Sequence, residues 1–227
     1  MADKITKQEL KEPDRFQVMA AQAMQYLVRY RREAIIAASC ILVVIVAIVA
    51  WYLYDLSSEK AAMTLYNKAA ASGKDPSQPP GQPTPETLKI YQDLVKDYSG
   101  TAAGGFAAYR LGFLHLGQGK FDEAIEAFEG YLQKHGQDNE LRILVYNGLG
   151  SSYEQKKDYP KALAYFEKAA GSKAGGAFAS STHENLGRTY EAMKDTKSAL
   201  EQYKKALEKA VDPAMKELLQ RRIAALG

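Results

Sequence analysis

The stretch AYRLGFLHLGQGKFDEAIEAF, Ala108–Phe128, decides the fold, because the chain writes its pattern twice more. Tyr146–Phe166 reads YNGLGSSYEQKKDYPKALAYF, and His183–Tyr203 reads HENLGRTYEAMKDTKSALEQY. Each copy carries a Leu-Gly pair, an aromatic or His three residues after the glycine, a turn, an Ala nine further on and an aromatic four after that. The frame is Leu111, Gly112, His115, Ala124 and Phe128; then Leu149, Gly150, Tyr153, Ala162 and Phe166; then Leu186, Gly187, Tyr190, Ala199 and Tyr203. Self-similarity at a fixed period marks a repeat architecture, in which no unit buries its apolar face alone and stacking supplies the core.

This frame resembles the tetratricopeptide repeat. The resemblance implies two antiparallel helices per unit, held close by the Leu-Gly pair and the Ala, with the aromatics filling the space between them. Gly112, Gly150 and Gly187 are 38 and 37 residues apart, against about 34 in that family. The surplus is expected in inter-repeat loops such as Gly171 to Gly176. Three repeats are expected at 105–136, 143–174 and 180–211. A degenerate first repeat, 56–99, precedes them, because Thr87, Tyr91 and Leu94 occupy the frame positions of Ala124, Phe128 and Tyr131. That makes Pro85 to Tyr98 a helix, paired with Leu56 to Ala71 across a proline-rich loop, 72–85. Asp212-Pro213 opens a capping helix, 214–226.

Outward from the repeats, Ala34 to Tyr54 (AIIAASCILVVIVAIVAWYLY) runs without a charge, proline or glycine. As a helix this segment is about 30 Å long, the thickness of a bilayer's hydrocarbon core. A cleaved signal would be shorter and nearer the start. Trp51, Tyr52 and Tyr54 at one end and Tyr26 and Tyr30 at the other form an interfacial belt. Seven Lys or Arg precede the span (Lys4, Lys7, Lys11, Arg15, Arg29, Arg31, Arg32), whereas the first twenty residues after it hold only Lys60, Lys68 and Lys74. This bias places the N-terminus in the cytoplasm and the C-terminal domain, residues 55–227, across the membrane on the extracytoplasmic side. Residues 1–33 form a cytoplasmic segment. Within it Glu12-Pro13-Asp14 opens a helix, and Phe16, Met19, Ala20, Ala23, Leu27 and Tyr30 form an apolar stripe. The stripe lies on headgroups or docks a cytoplasmic partner. No helix breaker separates Arg15 from Ala71, so the anchor is expected to continue into the first repeat. The class is therefore all-α: a single transmembrane helix, 34–54, followed by a tetratricopeptide-like helical-hairpin solenoid.

Beyond residue 54 the chain holds 23 basic and 22 acidic residues. A balance this even gives no electrostatic footprint for nucleic acid. The one cysteine, Cys40, lies inside the apolar span, so no intramolecular disulfide forms. His115 and His183 fall at aromatic positions of the frame, and with His135 they show no spacing that a zinc or iron site needs. Gly100 to Gly105 and Gly171 to Gly176 superficially resemble phosphate loops. Both lack the Gly-Lys-Ser/Thr ending and a preceding strand, so they read as inter-repeat loops. Ser151-Ser152 has no activating base nearby in sequence. No cofactor, metal or enzymatic activity is expected.

The resemblance further implies a groove lined by Phe106, Tyr109, Phe113 and Leu116, then Leu144, Asn147, Ser151 and Glu154, then Ser181, Glu184, Arg188 and Glu191. It passes from aromatic to polar, which suits an extended polypeptide with apolar side chains unless the stem helix itself fills the aromatic end. A carboxylate clamp of the family's chaperone-binding type needs Lys and Asn where Tyr109 and Phe113 stand. The layout of cytoplasmic segment, single anchor and short repeat array resembles the YfgM-type ancillary subunit of the bacterial Sec translocon. It implies exported polypeptides, translocon subunits and periplasmic chaperones as partners, with lipid contacting 34–54. The alternative is a scaffold subunit of a stable envelope complex.

Overall fold

A computed structural model describes residues 15–72, 83–135 and 140–227, and among these all regular structure is helical. The chain divides into two units, the first ending at Leu56 and the second spanning Ser57–Gly227. The expected helix start at Glu12-Pro13-Asp14, and most of the proline-rich loop, lie outside the described residues.

In the first unit, α1 covers Arg15–Arg29 and α2 begins at Arg31 to run 42 residues to Ser72. Tyr30 between them is a turn, so the amphipathic stripe and the apolar span lie on separate helices. The Tyr30 amide donates to the Tyr26 carbonyl and the Ala34 amide to that of Tyr30, so no backbone pairing is lost there. The most apolar 18-residue window of α2 has a mean hydropathy of 2.9 and none of it is buried. One helix among the described residues is thus long and apolar enough to cross a membrane.

In the second unit the remainder of α2 is followed by α3 (Pro85–Asp97), α4 (Ala102–Gly117), α5 (Phe121–Lys134), α6 (Glu140–Gln155) and α7 (Tyr159–Ala170). A short 3-10 helix (Lys173–Phe178), α8 (Ala179–Ala192), α9 (Thr196–Lys209) and α10 (Pro213–Leu226) complete it. From α3 to α10 each helix packs on the next, and α4, α6 and α8 also touch in series. Each helix hairpin therefore leans on its predecessor.

The frame residues explain why these helices pair. A Cβ on Gly112 would stand 2.4 Å from the Phe128 ring, one on Gly150 2.5 Å from Phe166, and one on Gly187 2.6 Å from Tyr203. Each glycine is the socket for its own repeat's aromatic, and the three rings are fully buried. Leu111, Leu149, Leu186, Ala124, Ala162 and Ala199 are buried beside them, while Tyr153 and Tyr190 are half-buried. Phe128 has a second socket not anticipated from sequence, since a Cβ on Gly148 of the next repeat would also lie 2.4 Å from it.

The three hairpin turns share one geometry. Gly119 (φ 73°), Lys157 (φ 63°) and Lys194 (φ 64°) occupy equivalent places in the left-handed region. The amide after each donates to the carbonyl of His115, Tyr153 and Tyr190 respectively, at 2.9 Å. Together with the tighter bonds from Gly119, Lys157 and Lys194 to the carbonyls of Leu116, Glu154 and Glu191, this is the Schellman ending of a helix. Helix starts are capped by Thr84, Thr101, Asp158, Asp195 and Asp212, whose side chains accept backbone N–H groups of the first turn.

The reading of Gly100 to Gly105 as a loop is overturned, because Gly104 and Gly105 lie in the first turn of α4. They are glycine for packing. A Cβ on Gly104 would fall 2.0 Å from the Tyr98 carbonyl oxygen, and one on Gly105 2.9 Å from His135. Likewise Gly171 to Gly176 is largely the 3-10 helix and not open loop. Thr87, Tyr91 and Leu94 are the buried residues of α3, and Tyr91 and Leu94 pack with Ala62 and Ala69 of α2. Glu59 of α2 accepts the Ala102 amide at 3.1 Å, adding a carboxylate to the N-terminus of α4.

Candidate functional site

Three positions recur on the first helix of the three clear hairpins. They hold Tyr109, Phe113 and Leu116 on α4, Asn147, Ser151 and Glu154 on α6, and Glu184, Arg188 and Glu191 on α8. These are the predicted groove residues, and the structure sorts them into two chemistries.

On α4 the rings of Tyr109 and Phe113 meet edge to face at 5.1 Å, and Phe113 meets Phe128 in the same manner at 5.0 Å. Phe113 remains 36% exposed, while Phe106, Tyr109, Leu116 and Leu144 are half-buried. An apolar strip thus remains in contact with solvent. At its α2 end, Tyr66 covers Phe106 with ring centroids 5.7 Å apart and meets Tyr91 in a tilted pair at 5.9 Å. Tyr66 also hydrogen-bonds Arg110, which keeps that guanidinium above its ordinary pKa. The expectation that the stem fills the aromatic end therefore holds for Phe106. Phe113 packs elsewhere, on Tyr109 and Phe128.

The polar positions bond to one another across repeats. Asn147 donates to Thr182 Oγ1 at 3.0 Å and accepts from Asn185 at 3.3 Å. Glu154, 9% exposed, receives the Arg188 guanidinium in a forked pair at 3.0 and 2.7 Å, and Thr189 adds a hydroxyl at 3.3 Å. Arg188 also faces Glu184 at 3.6 Å. Burial raises the Glu184 pKa, and the attraction of Arg188 only partly offsets it. Further along, Glu191 accepts from the Tyr203 hydroxyl at 2.6 Å and from Arg222 of α10 at 3.2 Å. Ser181 donates to the Phe178 carbonyl, and Ser151 is half-buried. Asn147, Glu154 and Arg188 thus act here as inter-repeat ties. The polar end of the groove has its hydrogen-bonding capacity engaged internally.

The remaining candidates are structural as placed. Ser152 donates to the Gly148 carbonyl one turn back at 2.8 Å. His135 donates from Nε2 to the Ser99 carbonyl and stacks on Tyr131, and His183 pairs with Gln202. His115 Nδ1 is buried without a hydrogen-bond partner, and burial pushes its pKa down. Among the described residues no group of three or more His, Cys, Asp or Glu is placed to hold a metal ion.

Paired helices, a glycine socket for each aromatic and serial packing can be set against known families. The profile of the tetratricopeptide repeat-like domain matches residues 25–227. The chain belongs to this family. Among curated proteins none matches it. Tetratricopeptide-like domains generally bind other proteins, which directs attention to surfaces rather than to catalytic groups.

Sequence reasoning missed Tyr66, Arg110 and Gly148. The Gly-Leu-Gly at Gly148–Gly150 was a visible signal for the last of these. Tyr66 had none, because its role depends on how α2 docks against α4.

Proposed function

We propose that the chain is a membrane-anchored protein–protein interaction module of the cell envelope. In this reading α2 spans the bacterial inner membrane, the N-terminus is cytoplasmic, and the repeats hold exported polypeptides or periplasmic chaperones near the Sec translocon. The strip Tyr109–Phe113–Leu116–Leu144 carries the reading, because it presents apolar surface on a helix of a protein-binding family. The exposed apolar window of α2 and the basic residues before it support the anchor and its orientation. A photo-activatable residue at Phe113 should form adducts with exported precursors or translocon subunits during export. Adducts only with the chain's own α2 would remove the reading.

The scaffold alternative draws on Tyr66, which already covers Phe106. It expects a stoichiometric complex that survives mild detergent extraction and sizing. Transient client capture expects none.

A further inference from the structure

The outer side of the array carries a second surface unlike the strip just described. Helix periodicity puts Leu111 and His115 on the face of α4 opposite Phe106, Tyr109 and Phe113. On that side α3, α4 and α5 enclose an open furrow of about 1090 Å³. Its apolar residues include Val95, Leu111 and Ile125. A small side chain leaves room in this furrow. Ala127 of α5 stands where the following repeat has Tyr165, whose ring stacks on Tyr153 at 5.6 Å with Lys168 over it at 4.7 Å. In the third copy the same position is Gln202, which is tied to His183.

The charge along the furrow is one-sided. The α5 wall presents Asp122, Glu123, Glu126 and Glu129, against Lys96 as the one cation among the described lining residues. Asp122 pairs with Lys156 and Glu129 bonds Tyr165. Glu123 and Glu126 are exposed and have no ion pair among the described residues. They flank Ala127 and the orphaned Nδ1 of His115.

From this we propose that the furrow between α3 and α5 is a docking site for a cationic amphipathic segment of another protein. An aliphatic side chain of that segment enters over Ala127 onto Val95, Leu111 and Ile125. Its neighbouring Lys or Arg meets Glu123 and Glu126. Charge complementarity selects this occupant over an anionic lipid surface, which the acidic wall repels. The site is independent of the Tyr109–Phe113 strip and does not rest on its assignment.

The full-length protein in zwitterionic nanodiscs tests this against a fluorescent 14-residue Lys/Leu amphipathic peptide and its Glu/Leu counterpart, with empty nanodiscs subtracted. The Lys/Leu peptide should bind, the Glu/Leu peptide should not, and raising salt should weaken binding. A127Y puts a ring into the furrow, as the following repeat has at Tyr165, and should weaken binding at least tenfold. The surface pair E123K/E126K, which leaves the core untouched, should do the same. V211S, at an exposed position outside both surfaces, should bind as wild type. Unchanged binding in both furrow variants, or an equal loss in V211S, overturns the proposal. So does self-association that the furrow variants abolish, since the occupant would then be a second copy of this chain.

Discussion

The first and third repeats share a frame and are held together by different forces. At three equivalent positions α4 carries Tyr109, Phe113 and Leu116, where α8 carries Glu184, Arg188 and Glu191. The first set packs as rings at about 5 Å, while the second is bound by charge-assisted hydrogen bonds to α6, α9 and α10. The difference shows that the frame fixes hairpin geometry while neighbouring positions decide how hairpins adhere. Where they adhere by ions, the groove's polar capacity is spent internally. Where they adhere by rings, apolar surface is left over for something else.

The strongest way to break this contrast is to remove the ring it turns on. Phe128→Ala empties the sockets at Gly112 and Gly148 and removes the support of Phe113, and it should cost about 3–5 kcal/mol in urea unfolding of the detergent-solubilised chain. Loss below about 1 kcal/mol would mean that the first repeat does not depend on ring packing. Next in size, Arg188→Ala strands the buried Glu154 carboxylate. It should cost about 1–3 kcal/mol, less than a fully buried pair because Arg188 is partly exposed. High salt should narrow that difference but not the one for Phe128→Ala.

A pH series sharpens the comparison further. The Glu184 pKa is raised above the ordinary 4.5 by burial, so the folded state binds its proton more readily than the unfolded state. Between 4.5 and the higher folded value, stability falls as pH rises, with a limiting slope of about 1.4 kcal/mol per pH unit for one proton. Glu184→Gln should remove that slope, and an unaltered pH profile would refute the assignment. The smallest effect is expected at the turns. Lys157→Gly relieves a left-handed backbone that its counterpart Gly119 adopts freely, and should raise stability by about 1 kcal/mol, read as a shift in the urea midpoint.

The fold was legible in the sequence because its determinants are steric and local. The Leu-Gly pair, the Ala and the aromatic stand at fixed spacing in each copy, so the three frames could be named without coordinates. The seating of Phe128 on Gly112 or of Tyr203 on Gly187 is visible only in the structure. The caps at Asp158, Asp195 and Asp212 are equally local. Composition misled at Gly104 and Gly105, where glycines that read as loop serve close approach to Tyr98 and His135. The candidate site was half legible. Its residues were named by position in the frame, but the pairing of Glu154 with Arg188 depends on the register between repeats, which spacing alone does not fix. The furrow at Ala127 had no signal beyond a small side chain where another repeat has tyrosine.

One ring seated in two glycine sockets has a consequence for how the array comes apart. A chain of identical hairpins would unravel from either end, one unit at a time. Here Phe128 is wall and floor to both of the first two clear repeats, so neither can fray without exposing it, and the pair should melt as one cooperative block. Hydrogen exchange should then report a common opening energy for amides of α5 and α6, above that of α10.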